Sequence, residues 1–194
     1  MRLAILLSGR GSNFEAIHRA NVAEIVCVVS NRPDAPGIAR ARELGLTAHV
    51  FDHRKYPTRE AHEEDVLRAI AEAEPDFIAL AGYMRLLSPA FVAAYPHRIL
   101  NIHPSLLPAF PGVDAQAQAL RYGVRVSGCT VHFVDENLDA GPIIVQRAVT
   151  VLDGDTADSL AARILEQEHI AYVEALVALS SRKWRVEGRR VVFG

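Results

Sequence analysis

Residues 99–112 read ILNIHPSLLPAFPG. The apolar start of this segment predicts a buried strand. Pro104, Pro108 and Pro111 predict a rigid loop after it, because proline fixes φ and removes a backbone donor. Open α/β sheets bind their ligands at the carboxyl ends of strands, beside such loops. We therefore expect the functional site at this end of the strand.

Two polar side chains stand at the end of the predicted strand. Asn101 and His103 are two positions apart, so both point to the same face of an extended chain. An amide N–H can stabilise an oxyanion while an imidazole moves a proton, which is the chemistry of acyl transfer. Alternatively, Asn101 caps a turn and His103 is a packed or surface histidine. The rigid proline frame favours the functional interpretation.

Composition narrows the class of protein. The 194 residues are half hydrophobic and carry a formal charge of −2, which predicts one domain over residues 1–194. No basic stripe with interleaved aromatic residues is present, so we expect a small-molecule substrate and no nucleic acid. The apolar runs are too short for a signal peptide or a membrane span, which predicts a cytoplasmic protein without a membrane partner. Cys27 and Cys129 are isolated and are expected to be buried thiols.

The order of predicted elements indicates an α/β fold. Strands and helices alternate up to residue 98, which predicts a Rossmann-like, open twisted, mostly parallel sheet with helices on both faces. Two later strands are joined by a loop alone, which predicts an antiparallel C-terminal addition. Thr58 and Ser88 are predicted helix caps, whereas Thr156 lacks the Glu three residues later that completes a capping box. The predicted strands span 3–7, 25–30, 48–50, 77–81, 99–103, 127–134, 142–151, 184–186 and 191–193.

The loop after the first strand is a candidate phosphate site. It reads SGRGSN at residues 8–13, and free N–H groups at the start of the following helix attract anions. Phe14 stands where the dinucleotide fingerprint needs a third glycine, and the Gly-Lys-Ser or Gly-Lys-Thr of the triphosphate loop is absent. An ordinary glycine-containing turn is the alternative.

Two further segments follow predicted strands. The loop GYMRLL at residues 82–87 is unusually apolar, so it could form the wall of a pocket for a flat ring, or lie buried under neighbouring helices. Asp139 precedes a Gly-Pro strand start and could reach His103 to help it move a proton. Neighbouring Asp135 and Glu136 are expected to be solvated turn residues.

Together these motifs resemble the phosphoribosylglycinamide formyltransferase family of folate-dependent enzymes. The resemblance covers nearly the whole chain, in order and with matching spacing. It rests on the segments SGRGSN at 8–13, AGYMRLLSP at 81–89, NIHPSLLP at 101–108 and LDAGP at 138–142. It implies a single formyltransferase domain that transfers formyl from 10-formyltetrahydrofolate to the amino group of glycinamide ribonucleotide in purine biosynthesis, with no metal.

The resemblance also implies roles for individual residues. The catalytic trio would be Asn101, His103 and Asp139. The remaining sites hold the two substrates: Gly11, Ser12, Asn13 and Glu168 for the ribonucleotide, and Arg59, Met84, Arg85, Leu86, Leu87 and Asn101 for folate, with Val134 on the pterin side.

Departures and rival families limit what the resemblance implies. Arg10 stands where some members have Asn, and residues 114–117 differ from other members, so no substrate contact is expected from that helix. Methionyl-tRNA formyltransferase and formyltetrahydrofolate deformylase share the trio, but each carries a further domain for which this chain has no room. A catalytically silent binding module would not need Asp139. A homodimer is possible.

Overall fold

Strand β1, Arg2–Leu7, is buried at every position after Arg2, as expected for a strand covered on both faces. The computed structural model describes all 194 residues, which divide into two compact units, Met1–Leu100 and Asn101–Gly194.

The first unit alternates strands and helices. Its strands lie in the order β3-β2-β1-β4, and the three pairings between neighbouring strands are all parallel. The elements after β1 are α1 Ser12–Ala20, β2 Glu24–Ser30, α2 Pro36–Glu43, β3 Ala48–Val50, a short 3-10 turn His53–Lys55, α3 Arg59–Ala73, β4 Phe77–Leu80 and α4 Pro89–Ala94. Strand β5, Ile99–His103, begins in this unit and continues into the second.

The second unit adds antiparallel pairs. Its strands follow the order β5-β6-β7-β9-β8; β6 and β7 are antiparallel, as are β8 and β9. The elements after β5 are α5 Ala115–Tyr122, β6 Val126–Phe133, β7 Ile143–Thr150, α6 Ala157–Ser181, β8 Trp184–Glu187 and β9 Arg190–Phe193. The α/β class, the parallel N-terminal strands and the antiparallel C-terminal addition are therefore confirmed.

Each unit has its own apolar core. In the first unit Phe14 and Ile17 of α1 are fully buried, as their shared helical face predicts. In the second, α6 packs on β6 and β7 and buries Leu160, Ile164 and Tyr172. Burying one large apolar side chain stabilises a fold by roughly 1.5–3 kcal/mol. Cys27 and Cys129 are buried free thiols, as predicted.

Helix caps follow the sequence with one correction. Thr58 and Ser88 accept hydrogen bonds from Ala61 N and Phe91 N, as predicted. A capping box is nevertheless present at α6, where Ser159 N donates to Thr156 Oγ1 at 3.2 Å and Thr156 N donates to Ser159 Oγ at 3.0 Å. The serine hydroxyl replaces the expected glutamate because it too can accept from the cap residue's N–H.

None of the helices is both long enough and apolar enough to cross a membrane.

We predict that Gly128→Ala destabilises the second unit. A Cβ at Gly128 would lie 2.0 Å from the Arg147 carbonyl oxygen, on the strand paired with β6. This carbonyl cannot retreat without loss of strand pairing, so we expect the free energy of unfolding to fall by about 1–3 kcal/mol or more. Urea denaturation followed by circular dichroism measures the loss.

Gly154→Ala is the matched control, because a Cβ there meets nothing within 4 Å. Its free energy of unfolding should change by less than about 0.5 kcal/mol. Equal losses in the two variants would contradict the steric explanation.

Candidate active site

Strand β5 places Asn101 and His103 at its carboxyl end. Ile99, Leu100 and Ile102 are buried and anchor the strand, and His103 is only 4% exposed. His103 Nε2 lies 2.8 Å from the Phe110 carbonyl oxygen. A carbonyl only accepts, so this nitrogen carries a proton and Nδ1 is left to face other groups.

The loop that follows β5 is held by two polar side chains from the neighbouring strands. Thr130 on β6 donates to the Ser105 carbonyl at 2.7 Å and accepts from Leu107 N at 3.0 Å. Gln146 on β7 donates to the Leu107 carbonyl at 2.9 Å. These bonds satisfy backbone groups of Ser105 and Leu107 that no helix or strand pairs. They hold the loop in a non-helical conformation, as expected from its prolines.

Asp139 lies on the loop between β6 and β7. Its side chain is 8% exposed, and its Oδ2 atom is 3.4 Å from His103 Nδ1. Gly112 N donates to the same oxygen at 2.8 Å. Because His103 Nε2–H is bonded to Phe110, the contact between Nδ1 and a carboxylate is attractive only with a proton between them.

The loop holds Asp139 in an uncommon backbone conformation. Its φ is 50°, in the left-handed region, which Asp tolerates better than most residues. A Cβ at Gly141 would lie 1.9 Å from the Phe133 carbonyl oxygen, so only glycine allows the two strands to close this tightly below the loop. The close approach fixes where Asp139 emerges.

His132 is a member of this cluster that the sequence analysis missed. It lies on β6, is 2% exposed, and its Nδ1 is 2.9 Å from the Phe133 carbonyl. Nδ1 therefore donates, and the Nε2 lone pair faces Asn101 Nδ2 at 3.3 Å and Asp139 Oδ1 at 3.9 Å. Burial lowers the pKa of His132, so the ring stays neutral and orients the Asn101 amide. A histidine within a buried strand, just before the Asp139 loop, was the available signal.

The candidate phosphate loop has the features of an anion site. Gly11 precedes α1 with φ of 78°, and no side chain caps the helix. A Cβ at Gly11 would lie 3.1 Å from Gly37 Cα, so the position requires glycine on both counts. The helix N-terminus at Ser12 and Asn13 can therefore offer backbone N–H groups to a phosphate.

The candidate folate residues in the first unit include an exposed apolar loop. Met84 is 75% exposed and Leu86 64% exposed, so the alternative of a loop buried under helices is wrong. Arg85 and Leu87 are half-buried beside them, and Arg59 is exposed at the start of α3. Glu63 on the same helix is buried and accepts from Ser88 N at 3.0 Å.

Glu168 lies half-buried on α6, in the same unit as the trio. Burial, with a smaller contribution from the Glu168 carboxylate, raises the pKa of the Cys129 thiol to about 12. Val134 is also half-buried. The structure thus brings Asn101, His103 and Asp139 together with His132, whereas Glu168 belongs to the α6 surface. The roles of all these residues stay predictions.

The comparisons with known proteins agree with the resemblance. The formyl transferase family model matches residues 1–176. Phosphoribosylglycinamide formyltransferase of Escherichia coli is 41% identical over 194 residues, covering 97% of this chain and 89% of that protein. The crystal structure of glycinamide ribonucleotide transformylase 1 from Symbiobacterium toebii superposes with a TM-score of 0.96 at 46% identity, covering 100% of this chain and 93% of that one.

Longer relatives contain a similar segment. The trifunctional purine biosynthetic protein adenosine-3 of Drosophila pseudoobscura pseudoobscura is 46% identical over 187 residues, which are 93% of this chain. The chain spans only 14% of that protein's length.

We predict that the buried histidines make stability depend on pH. Burial lowers the pKa values of His132 and His62 from 6.5, so below that pH the unfolded chain binds protons that the folded chain does not. The free energy of unfolding should therefore decrease as the pH falls below 6.5, by up to about 1.4 kcal/mol per histidine one pH unit lower. Urea denaturation at about pH 7.5 and about pH 5.5 measures this decrease.

His132→Gln separates the contribution of His132 from the rest. The amide oxygen of the glutamine can still accept from Asn101, but the side chain does not titrate. The free energy of unfolding should therefore decrease less between the two pH values than in the wild type. Identical declines would show that His132 does not contribute.

Proposed function

The chain belongs to the formyl transferase family, and we propose that it transfers the formyl group of 10-formyltetrahydrofolate to the amino group of glycinamide ribonucleotide, in purine biosynthesis, as one domain over residues 1–194. The observation that carries this proposal is the cluster that Asn101 and His103, at the end of β5, form with Asp139. The cluster combines an oriented amide donor, an imidazole and a carboxylate, which are the groups that acyl transfer to an amine requires.

The reaction begins with attack of the neutral amine on the formyl carbon. The new C–N bond forms as the carbonyl electrons move to oxygen. One N–H of the Asn101 amide is bound to His132, and the other donates to the developing oxyanion. His103 joins this stabilisation by exchanging the Phe110 carbonyl for the substrate oxygen, since its Nε2–H is bonded to that carbonyl in the present structure.

The intermediate then collapses. The bond between the formyl carbon and the folate nitrogen breaks, that nitrogen takes up a proton, and the former amine loses one. Asp139 stabilises the protonated form of His103 through the 3.4 Å contact with Nδ1 and serves the proton transfer through water. The products are formylglycinamide ribonucleotide and tetrahydrofolate, and the step needs no metal.

The remaining residues bind the two substrates. The ribonucleotide phosphate sits at the N-terminus of α1, on Gly11, Ser12 and Asn13, and Glu168 accepts from a ribose hydroxyl. As the resemblance implies, the exposed loop of Met84, Arg85, Leu86 and Leu87 binds the folate pterin, and Arg59 pairs with the carboxylate tail. Asn101 is a further folate-binding residue. The possible homodimer and the cytoplasmic location stay predictions.

The first test follows deformylation of 10-formyltetrahydrofolate by absorbance, with and without glycinamide ribonucleotide. We expect turnover that requires the ribonucleotide and that collapses in His103→Ala. Release of formate without the ribonucleotide would instead identify a deformylase. A folded protein that binds folate without turnover would be a silent binding module, and either result would overturn the proposal.

We predict that Asn101→Asp lowers kcat by about a hundredfold to a thousandfold, the usual cost of losing one oxyanion donor. The carboxylate has the size of the amide but cannot donate, and its charge repels the oxyanion. Steady-state kinetics measure the loss, with the urea midpoint as a check on folding. Asn137→Asp, an exposed change on the loop between β6 and β7, is the matched control and should keep full activity; an equal loss there would contradict the assignment.

A further inference from the structure

Ser8 is the first residue of the candidate phosphate loop. Its hydrogen bonds, however, join it to residues 82–87, the loop proposed to bind folate and called the folate loop below. It is 4% exposed, and its backbone N–H donates to the Gly82 carbonyl at 3.0 Å. Its hydroxyl accepts from Met84 N at 2.8 Å. One residue after β1 therefore bonds twice to the start of the loop that is proposed to hold the pterin.

Asn31 fixes the direction of the Ser8 hydroxyl. Ser8 Oγ donates to Asn31 Oδ1 at 2.5 Å, and Asn31 is only 3% exposed. The Asn31 segment is held in turn by His53, whose Nδ1 donates to the Asn31 backbone carbonyl at 2.9 Å. A hydroxyl has a single proton, and once Asn31 accepts it only lone pairs remain to face the Met84 N–H.

Neighbouring backbone leaves Ser8 little room to adjust. The carbonyl of Gly9 accepts from Gly37 N at 3.1 Å, and a Cβ at Gly37 would lie 2.9 Å from Leu7 Cδ2. The chain on either side of Ser8 is therefore packed closely against α2. A shift of Ser8 to follow a displaced folate loop would break these contacts.

The folate loop lacks packing of its own at Met84. That side chain is 75% exposed, so burial of the Met84 side chain does not set the position of its backbone. Two backbone hydrogen bonds do so instead: Met84 N donates to Ser8 Oγ, and Ser88 N donates to the buried Glu63 carboxylate. The bond to Ser8 is made by Met84, which is itself proposed to contact the pterin.

We propose that Ser8 is a positioning residue for folate, although it lies in the phosphate loop. It acts through the Met84 backbone rather than by touching substrate. Asn31 contributes indirectly, because it accepts the Ser8 proton and so leaves the Ser8 lone pairs facing Met84 N–H. The inference rests on the proposed function, because it takes the 82–87 loop as the folate site. It follows that loss of the hydroxyl weakens folate binding and leaves ribonucleotide binding intact, since Gly11, Ser12 and Asn13 are unchanged.

The test compares wild type with Ser8→Ala, varying each substrate while the other is saturating. An unsatisfied Met84 N–H costs on the order of a tenfold loss in affinity, so we expect KM for 10-formyltetrahydrofolate to rise about tenfold. The KM for glycinamide ribonucleotide and kcat should each change less than about threefold. Calorimetric binding of tetrahydrofolate without ribonucleotide should show the same tenfold loss.

Further variants separate positioning from a general structural defect. Ser127→Ala is the matched control, because Ser127 is 2% exposed and its hydroxyl has no hydrogen-bond partner; its kinetics should match wild type. Ser8→Cys retains the shape with a weak acceptor and should raise the folate KM even if Ser8→Ala fails to fold. Asn31→Ala should raise it too, and Ser8→Ala with Asn31→Ala should add little beyond Ser8→Ala alone.

The outcomes distinguish the two proposals. Wild-type turnover with unchanged folate KM in both Ser8 variants overturns the role of Ser8 and leaves the proposed function standing. A parallel rise in the ribonucleotide KM assigns Ser8 to the phosphate loop and also overturns it. Absence of wild-type turnover overturns the proposed function, while the tetrahydrofolate titration still measures the effect of Ser8.

Discussion

A carboxylate can stay buried only where neighbouring groups compensate its charge, and the second unit is arranged around this requirement at Asp139. One carboxylate oxygen, Oδ2, accepts from Gly112 N and faces His103 Nδ1. The loop after β5 and the turn before β7 must both be in place to supply these contacts. The Thr130 and Gln146 hydrogen bonds to the proline-rich loop therefore support the charge at Asp139 as well as the shape of the loop.

The two histidines of the cluster differ in their proposed roles because their hydrogen bonds differ. His132 donates from Nδ1 to a backbone carbonyl and stays neutral through burial, so its remaining nitrogen accepts from Asn101. His103 donates from Nε2 and presents Nδ1 to the carboxylate. One ring thus orients an amide, and the other is placed to carry a proton. Sequence position alone does not distinguish these two states.

Local pattern predicted most of the fold but only part of the site. Alternating apolar segments located the strands, and Thr58 and Ser88 marked helix starts because capping depends on neighbours within three residues. Asn101 and His103 share a face by strand geometry alone. His132, by contrast, joins them through pairing of distant strands, and the burial of Glu63 depends on the backbone of α4, reached from twenty-five positions away. Neither relation leaves a trace in local periodicity, and the same holds for the Ser8 to Met84 bond.

The proposed catalytic trio and His132 all come from the second unit, whereas the loop proposed to hold the ribonucleotide phosphate belongs to the first. The proposed reactive groups and the proposed phosphate-binding groups are thus encoded in separate halves of the chain, with Glu168, proposed to bind the ribose, in the half that carries the reactive groups. Substitutions in the phosphate loop would therefore leave the buried Asp139 carboxylate and its hydrogen-bond partner Gly112 unchanged, because both lie in the second unit.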